Sequence, residues 1–527
     1  MRYLVSDFSY KEVSGGAEYV DRYLVNNIEG ISFLRCREFS EELYSSGNQY
    51  IISNFTSLSQ KIMALLIQNS NYIIIEHDYK FLKERNPIGY PNFKVPFEKR
   101  INALFYNAAK AVFAQTDYQA EILKKNLPFA NIISLKGTFY EERHLALLEK
   151  ISRERVVQTN KFAILETKSP NKGRDIAEKF CRDNKIEYDI LPQMGYKQFL
   201  NTIAKYSGLV FLPQSPETFC RLIYEAKVIG LKIKTNKNSG IIHEEWVKDR
   251  EVNLIEYIRN KQKNNINLIL EKLNSEFIFT PVLTEVVSLF RSKKFLNSFF
   301  QNLISQSLFK HTEVLVVDCN QSDYTEDRDI LQPFLEKYKN IKVIRLDEDP
   351  GVYGAWNIGI KQADTEYVCN SNTDDLRFPN STEEMVCALK NSESALVYGD
   401  SRVMNEYGIV TRQRSEHSLK DYSRENMVKC LPGAIPVWRK SVHLKYGYFN
   451  EKYFSAADWE FWLRIINGGE SFLKLKKDVG AYYFNPNGIS TNEKRAKARF
   501  AEEKEIFFRY KEIFGQNYKV YEGYFSQ

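Results

Sequence analysis

One pattern constrains this chain more than any other. Short runs of β-branched and aromatic residues end in turns rich in glycine or acid, and each turn opens an amphipathic helix. Strands that alternate with helices in this way build α/β layers, with the sheet buried between helices. The pattern is readable at Tyr3–Val5, Tyr50–Ser53, Tyr72–Ile75, Ala111–Ala114 and Ile132–Leu135, and again at Phe162–Leu165 and Leu209–Leu212. It then restarts, as if from a new N-terminus, at Val286–Leu289 and Val314–Val317. Spread over 527 residues, it predicts about three or four compact units.

The expected organisation is a Rossmann-like lobe over 1–140, a second over 158–256, a polar linker or bridging helix over 257–282, and a further α/β domain over 283–527. The linker expectation rests on the Asn/Lys-rich run Asn260-Lys261-Gln262-Lys263-Asn264-Asn265.

Charge and cysteines narrow the function classes. The 74 basic and 67 acidic side chains leave a net charge of +7, a mild excess that suits anionic small molecules but does not argue for nucleic acid. Seven cysteines are scattered without any CxxC or Cys/His cluster, which points to free thiols in a reducing compartment and away from zinc. The Met1–Asp7 segment turns polar too early for a signal peptide, and no apolar run reaches the ~20 residues of a membrane span. The chain reads as cytoplasmic, at most peripheral to the inner face of a membrane.

In the first half, Ser14-Gly15-Gly16-Ala17-Glu18 joins a strand to a helix. Two glycines permit close backbone approach, and a helix N-terminus offers free N–H groups to a phosphate; an ordinary turn fits the same residues. A stronger signal is Pro213-Gln214-Ser215-Pro216-Glu217 running to Glu225. Ser215 is a good N-cap and Pro216 suits the first helical position, which places Glu217 at the mouth of a strand-to-helix crevice. The bland alternatives are a first-turn acid favoured by the helix dipole for Glu217 and a solvated face for Glu225.

Glu217 and Glu225, with Gly15-Gly16 and Lys172-Gly173, resemble the retaining GT-B glycosyltransferases of the large family four. The resemblance covers roughly residues 1–256. It implies that Gly15 and Gly16 meet a donor diphosphate, that Lys172 and Lys168 neutralise it, that Glu217 contacts the transferred sugar and that Glu225 holds the ribose. Lys168 stands where the family commonly has Arg. His77, after Ile73-Ile74-Ile75-Glu76, looks like the histidine lining the acceptor side. No cofactor is expected in this half.

The second half carries three ordered segments: Val314-Leu315-Val316-Val317-Asp318 with Ser322 and Asp323, Gly351-Val352-Tyr353-Gly354, and Asn370-Ser371-Asn372-Thr373-Asp374-Asp375. Adjacent carboxylates at a strand terminus repel one another and call for a cation, here Mg²⁺ or Mn²⁺ shared with a diphosphate. A fourth segment is Ala456-Ala457-Asp458-Trp459-Glu460-Phe461-Trp462.

Together these resemble an inverting GT-A glycosyltransferase of the large family two, over roughly 283–495. The resemblance implies Asp458 as the general base, Asp374 and Asn372 as the metal position, and Asp318 and Asp375 on the donor side. Trp459 and Trp462 fit either acceptor-site or core rings, and Tyr483–Ser490 resembles the segment that ends such domains. Asn372 stands for the first Asp of the metal motif, Cys319 for a frequent second Asp, and Phe290-Arg291-Ser292 for the usual Thr-Tyr-Asn.

The expectation is therefore two Rossmann-like lobes of GT-B type followed by a GT-A nucleotide-diphospho-sugar transferase domain. Such a chain would add two successive sugars from nucleotide-sugar donors to a glycan or lipid-linked glycan acceptor, one step retaining and one inverting and metal-dependent. Two alternatives stay open: a single active GT-A half beside an acceptor-binding module, or a non-enzymatic glycan-binding scaffold.

Overall fold

The computed structural model describes residues 1–13, 15–411, 413–414 and 420–526. Ser14, part of the glycine turn, lies outside the described residues. The chain divides into two compact units, Met1–Ile278 and Phe279–Gln527.

The first unit contains two parallel sheets. One runs, edge to edge, Ile31–Arg35, Arg2–Ser6, Gln49–Ile52, Tyr72–Ile75, Val112–Ala114 and Ile132–Ser134. Its central strand Tyr72–Ile75 is buried on both faces, as a parallel sheet between helices requires. The other sheet has the order Lys232–Thr235, Tyr206–Phe211, Thr159–Leu165, Tyr188–Leu191, again all parallel. Its two edge strands escape the sequence reading. Lys232–Thr235 alternates exposed lysines with half-buried residues, and Tyr188–Leu191 buries only its last residue.

The stretch expected to be a polar linker or bridging helix over 257–282 is largely helical, and its helix is part of the core. Leu254–Asn274 is capped by the Asn253 side chain, which accepts the N–H groups of Ile255 and Glu256. Ile269 and Leu273 join Leu4, Ile51 and Ile73 in the core of the first sheet. The Asn residues that read as polar linker are hydrogen-bonding partners: Asn265 Nδ2 donates to the Leu135 carbonyl at 3.0 Å. Gln262 Oε1 accepts the Tyr140 N–H at 3.0 Å.

The second unit is built on an eight-stranded mixed sheet. Its order is Ile341–Arg345, Thr312–Asp318, Leu283–Leu289, Tyr367–Ser371, Val437–Arg439, Leu396–Met404, Phe472–Tyr483, Leu376–Arg377. The first four strands are parallel. The chain enters at Leu283–Leu289, goes first to Thr312–Asp318 on one side and later to Tyr367–Ser371 on the other. That reversal opens a crevice at the carboxyl ends of these strands, the place where open α/β sheets hold ligands. Two C-terminal helices, Ala496–Arg509 and Gly515–Phe525, complete the unit and were not read from the sequence. Ile506, Phe507, Phe514 and Phe525 bury their contact face.

Candidate active sites

In the second unit the acid pair follows the strand Tyr367–Ser371 directly. Asp375 is 5% exposed. Its Oδ1 accepts the Tyr483 N–H at 3.1 Å and its Oδ2 accepts Asn372 Nδ2 at 3.0 Å. Asp374 is less enclosed, and its Oδ2 accepts Asn485 Nδ2 at 3.1 Å. Burial, then the charge of Asp374, pushes the Asp375 carboxyl up to about 7, and burial raises Asp374 as well. Two carboxylates with raised proton affinity, held together by neutral amides, form a pocket of unspent negative charge. Among the described residues no three His, Cys, Asp or Glu side chains converge on one point. That donor set fits Mg²⁺ or Mn²⁺ held by Asp374 with phosphate oxygens and water, the usual economy of such ions, and does not fit an all-protein cage.

Asp318, expected on the donor side, is held by its own loop. It is fully buried; Arg328 Nε donates to Oδ2 at 2.7 Å, while the Asn320 N–H and Nδ2 donate to Oδ1 at 3.1 and 2.9 Å. The carboxylate is consumed in fixing the 320–328 loop. Neighbouring strand ends are tied in the same way, with Ser292 N–H on Asp327 Oδ2 at 2.8 Å and Thr373 Oγ1 on Ser292 Oγ at 2.9 Å.

Asp458 is the second residue of the helix Ala457–Asn467. The Tyr353 hydroxyl donates to its Oδ1 at 3.0 Å, and the Cys430 thiol lies 3.8 Å from Oδ2. Burial raises its pKa against these hydrogen bonds, which favour the carboxylate. Trp459 and Trp462 are buried core rings, and Trp459 Nε1 is spent on the Met427 carbonyl at 2.8 Å. Tyr353 and Asn485 were missed as site residues although both stand in segments singled out from the sequence.

In the first unit a cavity of about 670 Å³ brings together Gly16, His77, Lys172 and Glu217, four of the residues expected there. Glu217 does not start a helix. It pairs like a strand residue, its N–H donating to the Asn238 carbonyl at 2.7 Å and its carbonyl accepting the Gly240 N–H at 2.9 Å. The helix begins later, at Arg221–Ile229, behind Cys220 with a left-handed φ of 69°. Ser215 and Pro216 therefore cap nothing, because the backbone pairing holds this stretch extended. The Glu217 carboxylate accepts Lys172 Nζ at 2.8 Å.

His77 is held on both ring nitrogens. Gln115 Nε2 donates to Nδ1 at 3.2 Å, so Nε2–H donates to Ser53 Oγ at 2.9 Å, and Ser53 donates to Asp21 Oδ1 at 2.5 Å. Burial pushes His77 down to about 3, which keeps it neutral. Gly15 takes an extended N-cap position just outside the cavity lining. Lys168 is exposed and also lies outside that lining. Glu225 departs from its expected role: it is buried, and its Oε1 accepts the hydroxyls of Tyr196 at 2.9 Å and Tyr140 at 3.2 Å. It is not among the residues that line the cavity.

Residues 284–443 match the family model described as Glycosyl transferase family 2. That match lies within the second unit and covers the strands that form its crevice. An uncharacterised glycosyltransferase of Rickettsia felis is 22% identical over 197 residues, 36% of this chain and 32% of the relative. The chain thus spans about a third of that relative's length. A putative teichuronic acid biosynthesis glycosyltransferase of Bacillus subtilis is 21% identical over 240 residues, 44% of this chain and 88% of that protein. Among solved structures, a mannosyltransferase from Pyrobaculum calidifontis in complex with GDP-Man and Mn²⁺ is 16% identical, with a TM-score of 0.36, over 44% of this chain and 65% of that one.

Proposed function

We propose that the chain is a bifunctional glycosyltransferase acting on a growing cell-surface glycan or polysaccharide, on the cytoplasmic face of a membrane. The C-terminal unit is read as a GT-A domain performing inverting transfer from a nucleotide sugar. The observation that carries this reading is the buried niche of Asp458, where burial raises the carboxyl's proton affinity while Tyr353 fixes one of its oxygens. A base so held is rigid and ready to accept a proton from an acceptor hydroxyl. The hydroxyl oxygen attacks the anomeric carbon from the side opposite the nucleoside diphosphate, its proton passes to Asp458, and the carbon–oxygen bond to the diphosphate breaks. A divalent cation at Asp374 supplies positive charge for the departing diphosphate when bound.

The N-terminal unit is read as a GT-B pair with a retaining, metal-free activity. Its support is the single cavity shared by Gly16, His77, Lys172 and Glu217. A second reading, favoured by the sequestration of Glu225 and the Lys172–Glu217 ion pair, makes this cavity an acceptor-binding site without chemistry. A sugar-nucleotide turnover screen of wild type, Asp458→Asn and Glu217→Gln, with and without EDTA, tests both. Loss of one EDTA-sensitive product in Asp458→Asn and of a second, EDTA-resistant product in Glu217→Gln supports two activities. Unchanged products in Glu217→Gln leave the N-terminal unit as a binding module, and unchanged products in Asp458→Asn overturn the C-terminal mechanism.

No helix among the described residues is long and apolar enough to cross a membrane. Membrane association, if the acceptor is lipid-linked, is therefore proposed through that acceptor.

A further inference from the structure

The strand Leu283–Leu289 is almost wholly buried, yet its third residue is an acid, Glu285, only 2% exposed. A carboxylate inside a sheet needs a partner. Arg377 supplies it, equally buried, with Nε 3.5 Å from Glu285 Oε1. The Ser371 hydroxyl donates to the same carboxylate oxygen.

Arg377 also closes the turn that carries the acid pair Asp374 and Asp375. Its Nη2 donates to the Asn370 carbonyl at 2.8 Å and its Nη1 to the Ile435 carbonyl at 3.3 Å. Its backbone is gripped separately. Asn302 Oδ1 accepts the Arg377 N–H and Asn302 Nδ2 donates to the Arg377 carbonyl, both at 2.9 Å. Gln306 Nε2 donates to that carbonyl at 3.1 Å, and Leu376 and Arg377 pair with Ala481 and Gly480. The turn thus has anchors that do not depend on the guanidinium.

Glu285, Asp375 and Arg377 line one cavity of about 10 Å³, a space no larger than a single water. They are the charged side chains of that lining, one cation and two carboxylates. Asp375 is held by neutral donors, the Asn372 amide and the Tyr483 N–H. The three groups therefore admit two pairings, Arg377 with Glu285 or Arg377 with Asp375. The structure shows the first, which leaves the acid pair without a countercharge. We propose that Glu285 is a positioning residue that keeps the Arg377 guanidinium off Asp375, so that the acid pair stays free to take a divalent cation. This inference rests on the reading of Asp374 as the cation's position. A guanidinium released from Glu285 has Asp375 as the remaining carboxylate of that space, and pairing there cancels the charge that draws a cation to the neighbouring Asp374.

The test titrates Mn²⁺ alone by calorimetry into the full-length chain as wild type, Asp374→Asn, Glu285→Gln, Arg377→Met and the double variant Glu285→Gln/Arg377→Met. Melting temperatures are measured on each. Binding that disappears in Asp374→Asn marks the site. Its affinity should fall at least about 10-fold in Glu285→Gln, where an unbalanced cation is left beside Asp375, and stay within about 3-fold of wild type in Arg377→Met and in the double variant. Both single variants break the same ion pair, so a merely structural role lowers both affinities together or moves only the melting temperature. Either result overturns the inference, as does a double variant that fails to recover. If Glu285→Gln does not fold, Glu285→Asp, with its shorter arm, takes its place alone and combined with Arg377→Met, and the same comparison decides. Wild type whose Mn²⁺ binding is absent, or is unchanged in Asp374→Asn, removes the cation reading itself and the inference with it.

Discussion

The Tyr353 hydroxyl is the smallest handle on the base. It donates to Asp458 Oδ1 at 3.0 Å, and the hydrogen bond opposes the rise that burial imposes on the carboxyl. Removing it as Tyr353→Phe leaves the ring in place, packed at 5.2 Å from Trp356 and 5.9 Å from Phe449. A hydrogen bond to a charged group is worth about 1.5–3 kcal/mol. At about 1.4 kcal/mol per pKa unit, its loss raises Asp458 by roughly one to two units. Transfer needs the ionised carboxylate, so activity falls as pH drops through this pKa. The acid limb of the pH–rate profile should therefore move upward by ~1–2 pH units, with little change in the high-pH plateau. Asp458→Asn gives the companion stability result. An acid whose folded pKa is raised stabilises the fold below its unfolded pKa, and that contribution is lost as pH rises through the folded value. At pH 7 to 8 the buried carboxylate is thus a liability, and Asp458→Asn should melt at or above the wild-type temperature while losing transfer about 100-fold. The assay is kcat against pH, paired with melting temperature at each pH. An acid limb that stays put in Tyr353→Phe, or moves downward, refutes the assignment of Asp458 as the titrating base.

Three further outcomes follow from the same geometry. Asn372→Asp places a third carboxylate beside Asp375, so the metal-free protein should melt lower than wild type and recover on adding Mn²⁺, with tighter Mn²⁺ binding by calorimetry; a melting point indifferent to Mn²⁺ counts against the metal site. Glu217→Gln frees Lys172 in a partly exposed pair, which should cost less than about 1 kcal/mol in stability while abolishing any N-terminal product in a donor screen. Gly173→Ala should destabilise the first unit strongly in thermal unfolding. Gly173 has a left-handed φ of 70°, worth about 1–2 kcal/mol against a side chain, and its new methyl would strike the Leu212 carbonyl.

The alternation of strands and helices was legible because a buried parallel strand must be apolar along its whole length, as Tyr72–Ile75 is. Edge strands such as Lys232–Thr235 were not legible, since half-exposed lysines look the same in a loop. How deeply the polar helix Leu254–Asn274 is built into the core was not legible for a related reason. Asn265 and Gln262 are buried by partners more than a hundred residues away, and nothing local records the pairing. The same limit separates the acids. Glu217 lines a cavity, whereas Asp318 at a strand end and Glu225 within a helix are claimed by Arg328 and by Tyr140 with Tyr196. A motif fixes where a carboxylate leaves the sheet; long-range partners decide whether it still faces solvent.

That distinction bears on how the two units differ chemically. In the second unit the acids facing the crevice are held by uncharged groups: amides at Asp374 and Asp375, a phenol and a thiol at Asp458. Neutral donors fix a carboxylate without a countercharge, and burial raises its affinity for a proton. In the first unit the cleft acid Glu217 is instead neutralised by Lys172. A ligand that engages either partner there must first separate an ion pair at 2.8 Å, and a diphosphate, which would draw Lys172 away, would at the same moment expose Glu217 to the sugar it carries. On the proposed reading, the first site responds to an anionic donor, and the second stands ready before one arrives.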